Sequence, residues 1–245
     1  MLSKVRRIAL AGLSLLWSGS LLGSYAVGVA GSAGGSRIPK PMALFSSATL
    51  VAAAWLIRSA RRKGPAADYS HQIAKGMTWG FVGDLCMTFS VPLGMATFGI
   101  GHIEYIRGML RLLKAEGGRL GPGQVAAWLT WLGIGVGAWL GVVRCGPKGD
   151  LPLAWAALPY TLLLASTAGV ASGLLLRKGR YAPLALGSAM FLVSDLVIAL
   201  RLFQPALFAE IPAAIRADLV WLLYGPGQAL IVSSALCASE EGESP

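Results

Sequence analysis

From Ile8 to Cys237 the chain is a succession of apolar runs of roughly 18–25 residues, separated by short segments that gather charge, proline and glycine. As a helix, each run is long enough to cross a hydrocarbon layer of ~30 Å. Backbone polar groups in lipid must satisfy one another, so such runs fold as helices and pack as a bundle. Eight spans are expected, at Ile8–Gly28, Pro41–Arg58, Gly76–Leu93, Thr97–Leu113, Gly123–Val143, Pro152–Leu176, Ala182–Phe203 and Arg216–Cys237. Only 13% of the residues are charged, against about 25% in a typical soluble domain, and mean hydropathy is +0.64. The reading is an all-α polytopic membrane protein: residues 1–238 form a single transmembrane domain, and the acidic stretch SEEGESP, residues 239–245, is a disordered tail. "KVRR" before the first apolar run resembles the start of a signal peptide. The run is long for that role and no A-x-A site follows it, so a retained helix is expected.

A net charge of +10 on a soluble protein would suggest nucleic acid; here it reports topology, and no nucleic-acid partner is expected. With the N-terminus cytoplasmic, inner segments hold Lys4, Arg6, Arg7, Arg58, Arg61, Arg62, Lys63, Lys75, Arg107, Arg111, Lys114, Arg119, Arg177, Lys178 and Arg180. Outer segments hold Arg37, Lys40, Arg144, Lys148, Arg201 and Arg216. Fifteen basic residues against six favours both termini inside. The Ala/Gly/Arg-rich composition points to a bacterial cytoplasmic membrane. Cys86, Cys145 and Cys237 form no CxxC and leave an odd count, and His71 and His102 form no HxxxH, so neither a disulfide framework nor a metal site is expected.

Two carboxylates stand inside these runs. Val82-Gly83-Asp84-Leu85 on the third span is echoed by Val193-Ser194-Asp195-Leu196 on the seventh. A charged side chain at the centre of a bilayer helix costs roughly 2.5–3.5 kcal/mol, so such residues face the bundle interior and have a function by default. The echo lies four spans apart, and Pro41 and Pro159 mark the second and sixth spans, which suggests a 4+4 repeat. Gly76, Gly80 and Gly83, at i, i+4, i+7, let neighbouring helices approach beside Asp84; packing alone accounts for them. His102 and Tyr105 share a face of span four, Tyr224 and Gln228 a face of span eight, and Tyr160 follows Pro159 on span six. From topology, both aspartates lie near the midplane, and one mid-to-outer cavity collects these residues. Each also has a plainer role: the tyrosines as packing aromatics, His102 as an interhelical partner, Lys40 as a snorkelling cation, Glu104 as the partner of an arginine such as Arg107.

Two buried aspartates suit three activities. In acid–base catalysis on a lipid, one carboxyl keeps its proton while the other stays ionised. Intramembrane proteolysis also uses two aspartates, but the presenilin-type GxGD motif is missed by one residue in "GFVGD". Proton-coupled transport would relay protons through Asp and His, at discontinuous helices of which only Gly225-Pro226-Gly227 gives a hint.

"KPMALF" (Lys40–Phe45), "GDL" (Gly83–Leu85), "FGIGHIEYI" (Phe98–Ile106), "PYTLLL" (Pro159–Leu164), "GSAMFLVSDLVIALRLF" (Gly187–Phe203) and "YGPGQALI" (Tyr224–Ile231) occur in order. As an ordered set they resemble the YhhN family of membrane proteins, the lysoplasmalogenases, over nearly the whole chain from Lys40 onward; Glu104 and the Gly-Pro-Gly before Gln228 are departures the family does not demand. The resemblance implies hydrolysis of the vinyl ether bond of a lysoplasmalogen to a fatty aldehyde and glycerophosphoethanolamine or glycerophosphocholine. It implies Asp84 and Asp195 as the acid–base pair, and His102, Tyr105, Tyr160, Ser194, Tyr224 and Gln228 around the substrate. Lys40 is the candidate for the headgroup phosphate. The partners implied are a lysophospholipid and the bilayer, and the mechanism requires no cofactor.

Overall fold

The computed structural model describes residues 3–28, 35–61, 63–115, 117–118, 121–146 and 151–238. Arg62, Arg119 and Lys148 of the charge argument, and the acidic tail, lie outside the described residues. Eight long helices follow one another: α1 Lys4–Val27, α2 Lys40–Ser59, α3 Pro65–Cys86, α4 Val91–Ala115, α5 Pro122–Arg144, α6 Leu151–Arg177, α7 Ala182–Phe203 and α8 Leu219–Cys237. Two short helical turns, Pro205–Ala209 and Ala213–Arg216, link α7 to α8. No strand occurs among the described residues. The expected all-helical membrane class is observed.

The sequence places helix starts with care. Ser3 caps α1 through the Arg6 amide, and proline occupies the first turn of α2, α3, α5 and α7, where its missing N–H costs nothing. Gly64, at φ 137°, turns the chain into α3 in a conformation that a side chain would oppose. Pro159 and Pro226 lie inside α6 and α8, yet both helices run on without a break. The Gly-Pro-Gly of α8 therefore does not make a discontinuous helix.

Six of the eight, α1, α2, α5, α6, α7 and α8, are long and apolar enough to cross a membrane. The other two, α3 and α4, match them in length but bury Tyr69, Ser70, Gln72 and Asp84, and Thr97, His102 and Glu104. Their polar residues face protein, so hydropathy understates how well they fit a bundle. The third and fourth spans were expected at Gly76–Leu93 and Thr97–Leu113. The chain instead turns at residues 87–90, ahead of Pro92, which is tolerated only in the first turn of the helix that follows. The shift corrects the depth of one aspartate: Asp84 stands in the last turn of α3, not at its middle. Asp195 lies eight residues before the end of α7, about 12 Å deep along the helix.

The pairing of helices has an internal echo. α1 packs on α2 as α5 does on α6, α2 on α3 as α6 on α7, and α3 on α4 as α7 on α8; α4 reaches across to α6 as α8 reaches back to α2. Each aspartate thus stands on the third helix of its set of four. Below them a solid core contains Ile73, Met77, Met109, Leu174, Leu184 and Ile231, all without exposed surface. Tyr69 and Ser234 share a hydrogen bond of 2.6 Å in that layer, and Glu104 pairs with Arg107 at 2.9 Å, as its position suggested. By contrast α5 presents Trp128, Leu129, Ile134 and Leu140 outward, a face suited to lipid.

Candidate active site

Asp84 is buried, and its carboxylate is reached from two other helices. Oδ2 accepts from Ser47 Oγ of α2 at 2.5 Å and from the Tyr224 hydroxyl of α8 at 3.0 Å. Asp195 is half-buried; it accepts from the Tyr160 hydroxyl of α6, and Ser194 Oγ lies 3.4 Å from its other oxygen. Ser194 donates mainly to the Phe191 carbonyl one turn back, at 2.7 Å, so its contact with Asp195 is weak. The arrangement repeats the packing echo: each carboxylate takes a hydroxyl from the second helix of its own set, Ser47 for one and Tyr160 for the other.

Both carboxylates line one cleft of about 550 Å³, which lies among the segment before α2, the turn between α3 and α4, and the link between α7 and α8. Ser36 and Lys40 stand at one side, Arg201 and Arg216 at another, and Trp221, Tyr224 and Phe98 form its wall. Asp195 also lines a second, narrower pocket between α4, α5, α6 and α7, where Met95, Trp139, Leu164 and Leu202 leave almost nothing polar but Tyr160 and Thr161. Asp84 is absent from that pocket. Phe98 borders both cavities, its ring edge-on to Phe191 at 6.0 Å and to Tyr224 at 5.9 Å.

The glycines on α3 make room for this wall. A side chain at Gly83 would place its Cβ 2.8 Å from the Phe98 ring, and one at Gly80 would meet Gln228 Nε2 at 3.1 Å. The stripe thus admits side chains from α4 and α8 as well as the close helix approach expected of it.

Of the residues singled out in the sequence, Lys40, Asp84, Asp195 and Tyr224 line the cleft, and Tyr160 and Ser194 contact Asp195 directly. Gln228 lies behind Ser47, its Oε1 3.5 Å from Ser47 Oγ, while its buried Nε2 meets no partner among the described residues. His102 is not brought to either carboxylate. Its ring stands edge-on to Phe191 at 4.7 Å and to Tyr160 at 6.2 Å, and Nδ1 lies 2.9 Å from Thr167 Oγ1. Thr167 gives its own proton to the Leu163 carbonyl, so Nδ1 is the donor and Nε2 is left unprotonated and unpartnered among the described residues. Tyr105 is not brought to the cleft either: its hydroxyl lies 3.8 Å from Met77 sulfur and its ring fills the space over Gly76. Ser47 and Thr167 escaped sequence reasoning. Each lies seven residues after a residue that did not, Lys40 and Tyr160, and so shares its helix face.

In chemical terms the site offers two carboxyl groups held by hydroxyl donors at the wall of one cleft, with cations at its mouth and an apolar pocket beside one carboxyl. The model of the YhhN family matches residues 41–235 of the 245-residue chain. No curated protein and no solved structure matches.

Proposed function

The chain belongs to the YhhN family, and from that premise we propose that it is a membrane-embedded hydrolase that cleaves the vinyl ether bond of lysoplasmalogens. The observation that carries this reading is the pair of carboxyl groups at one cleft, one of which also borders an apolar pocket. A lysoplasmalogen has one alkenyl chain, a glycerol and a phosphate-bearing head. The apolar pocket suits the chain, the cleft suits the glycerol, and the cationic mouth with Lys40 suits the head.

Vinyl ethers are cleaved by proton delivery to the carbon β to oxygen, which creates an oxocarbenium ion at the adjoining carbon. Water adds there, and the hemiacetal collapses to an aldehyde and a free glycerol hydroxyl. One proton is donated, one is recovered from water, and no redox change occurs. Two carboxyl groups meet both needs, as in the glycosidases. We assign the donor role to Asp195, which lies where chain pocket and cleft meet. Asp84, held by two hydroxyls on one oxygen, is assigned to the cation and the incoming water. Tyr160 sets the Asp195 carboxyl, with Ser194 only a weak neighbour, and Ser47 and Tyr224 set Asp84. His102 and Gln228 each offer an unpartnered ring or amide nitrogen behind this wall.

A transporter would need a route from this cleft to the inner side. Below the cleft the layer of Tyr105, Met77, Phe191 and Ile231 is closely packed, which favours a pocket over a pathway. We place the protein in a bacterial cytoplasmic membrane with both termini inside, on its charge distribution and composition.

The test is product analysis of the purified protein with lysoplasmenyl-ethanolamine. Aldehyde release by the wild type, abolished in Asp84→Asn and in Asp195→Asn, supports the reaction and the pair. Release that survives either substitution removes this mechanism, and no release from a well-folded preparation removes the activity.

A further inference from the structure

The positive-inside rule leaves six basic residues on the outer side of this chain, and three of them, Lys40, Arg201 and Arg216, line the cleft that holds the aspartates. They come from separate elements: Lys40 opens α2, Arg201 is in the last turn of α7, and Arg216 closes the short helix before α8. Snorkelling alone would scatter them around the outer rim of the bundle. Arg216 is steadied by a 2.6 Å hydrogen bond from Nη1 to the Ala209 carbonyl. Among the described residues, none of the three is in an ion pair.

The carboxylates that line this cleft are Asp84 and Asp195, both already accepting hydroxyl protons. A third acidic residue close by, Asp218, is buried and committed to the loop before α2, where it accepts from Ser36 Oγ at 2.5 Å and from the amides of Arg37 and Ile38. The mouth therefore offers cations for an anion, while its two carboxylates already accept protons from within the protein. Guanidinium groups present paired donors in a plane that matches phosphate oxygens.

We propose that Arg201 and Arg216, with Lys40, form a phosphate subsite that recognises the phosphate of a single-chain phospholipid and not the amine beyond it. This rests on the lysolipid reading above. It makes the phosphate a requirement and leaves the site tolerant of ethanolamine, choline or no amine at all.

Binding can be measured without catalysis, using acyl lipids that lack a vinyl ether. The protein in a neutral detergent is titrated calorimetrically with lysophosphatidylcholine, lysophosphatidylethanolamine, lysophosphatidate, the monoacylglycerol of the same chain, and soluble glycerophosphocholine. The three phospholipids are expected to bind at least about tenfold tighter than the monoacylglycerol, and the choline and ethanolamine forms to agree within about threefold. Arg201→Gln should erase most of that preference, leave monoacylglycerol binding unchanged, and be partly rescued by Arg201→Lys. Lys40→Gln provides a second exposed position, and elution profile and Tm report whether each variant is folded. Equal binding of monoacylglycerol and lysophosphatidylcholine overturns the proposal. So does a weakening of both lipids alike in Arg201→Gln. Glycerophosphocholine binding as tightly as the lysolipid would make the mouth a site for a soluble phosphate and overturn the lipid assignment. The hydrolase reading is read separately: loss of aldehyde release with the phosphate preference intact refutes the reaction alone.

Discussion

Tyr224 of α8 donates its hydroxyl to Oδ2 of Asp84 at 3.0 Å, the same oxygen that Ser47 of α2 reaches at 2.5 Å. Three helices from opposite ends of the chain therefore converge on one carboxylate oxygen. A hydrogen bond to a charged group contributes about 1.5–3 kcal/mol. If Asp84 acts as the anion beside the oxocarbenium ion, losing either donor changes how that anion is aimed as well as how far it is stabilised. Tyr224→Phe and Ser47→Ala should each lower kcat for aldehyde release by roughly ten- to a hundredfold, with little change in KM. The double variant should fall short of the product of the two, because both donors serve one oxygen. Full activity in either single variant would show that Asp84 does not depend on this anchoring.

The order of bond changes can be read from the product. Proton delivery to the vinyl ether carbon fixes one solvent hydrogen on the carbon next to the aldehyde. Hydrolysis in heavy water should therefore give aldehyde carrying one deuterium at that carbon, detectable by mass spectrometry after prompt trapping. Aldehyde without deuterium there would exclude protonation at carbon and, with it, the role assigned to Asp195.

How much of this was legible beforehand depends on what each residue faces. The helical class followed from the apolar runs, because lipid forces the backbone to bond within itself. The paired aspartates stood out because nothing but function or a partner keeps a carboxylate in such a run. The edges of α3 failed the same reasoning. Asp68, Tyr69, Ser70, His71 and Gln72 look like a loop when hydropathy is averaged, yet most of that turn is buried against other helices. Ser47 and Thr167 were invisible for a different cause: small hydroxyls in apolar helices commonly bond back to their own carbonyls, so their presence signals little. Thr167 does so here and still meets His102; Ser47 turns instead to Asp84. His102 and Tyr105 did share a face, with rings 5.8 Å apart, but helix periodicity cannot tell which way that face turns along the bundle. It turns towards Thr167 and Met77, behind the wall of the cleft.

Asp218 is a structural clamp for the mouth. Its carboxylate accepts from the Arg37 amide at 3.0 and 2.9 Å, from the Ile38 amide at 3.1 Å and from Ser36 Oγ, just before Lys40 begins α2. Removing it leaves the Arg37 amide without its acceptor and the buried Ile38 amide with only the Ser36 hydroxyl, at 3.2 Å. Asp218→Ala should lower the stability of the detergent-solubilised protein by about 2–4 kcal/mol, seen as a clear drop in Tm. Asp218→Asn keeps the shape and one acceptor oxygen and should lose roughly half of that. An unchanged Tm for Asp218→Ala would mean that the loop holds its position without the carboxylate.

The last prediction concerns Phe98, the ring that borders both cavities. At Gly83 an added Cβ would lie 2.8 Å from that ring, closer than carbon atoms pack. Phe191 and Tyr224 stand edge-on to the ring at 6.0 and 5.9 Å, so it can give way only by breaking those contacts and moving into the cavities it divides. Gly83→Ala should therefore cost about 1–3 kcal/mol, where an ordinary helical glycine would gain from the same change. Gly133 on α5 supplies that reference, because a Cβ there would meet nothing within 4 Å. Gly133→Ala is expected to be neutral or slightly stabilising. Combining Gly83→Ala with Phe98→Leu relieves the clash with a smaller side chain and should recover most of the lost Tm. It should not recover wild-type turnover if the Phe98 ring is what separates the chain pocket from the cleft at Asp195. Recovery of both would leave Phe98 a packing residue and nothing more.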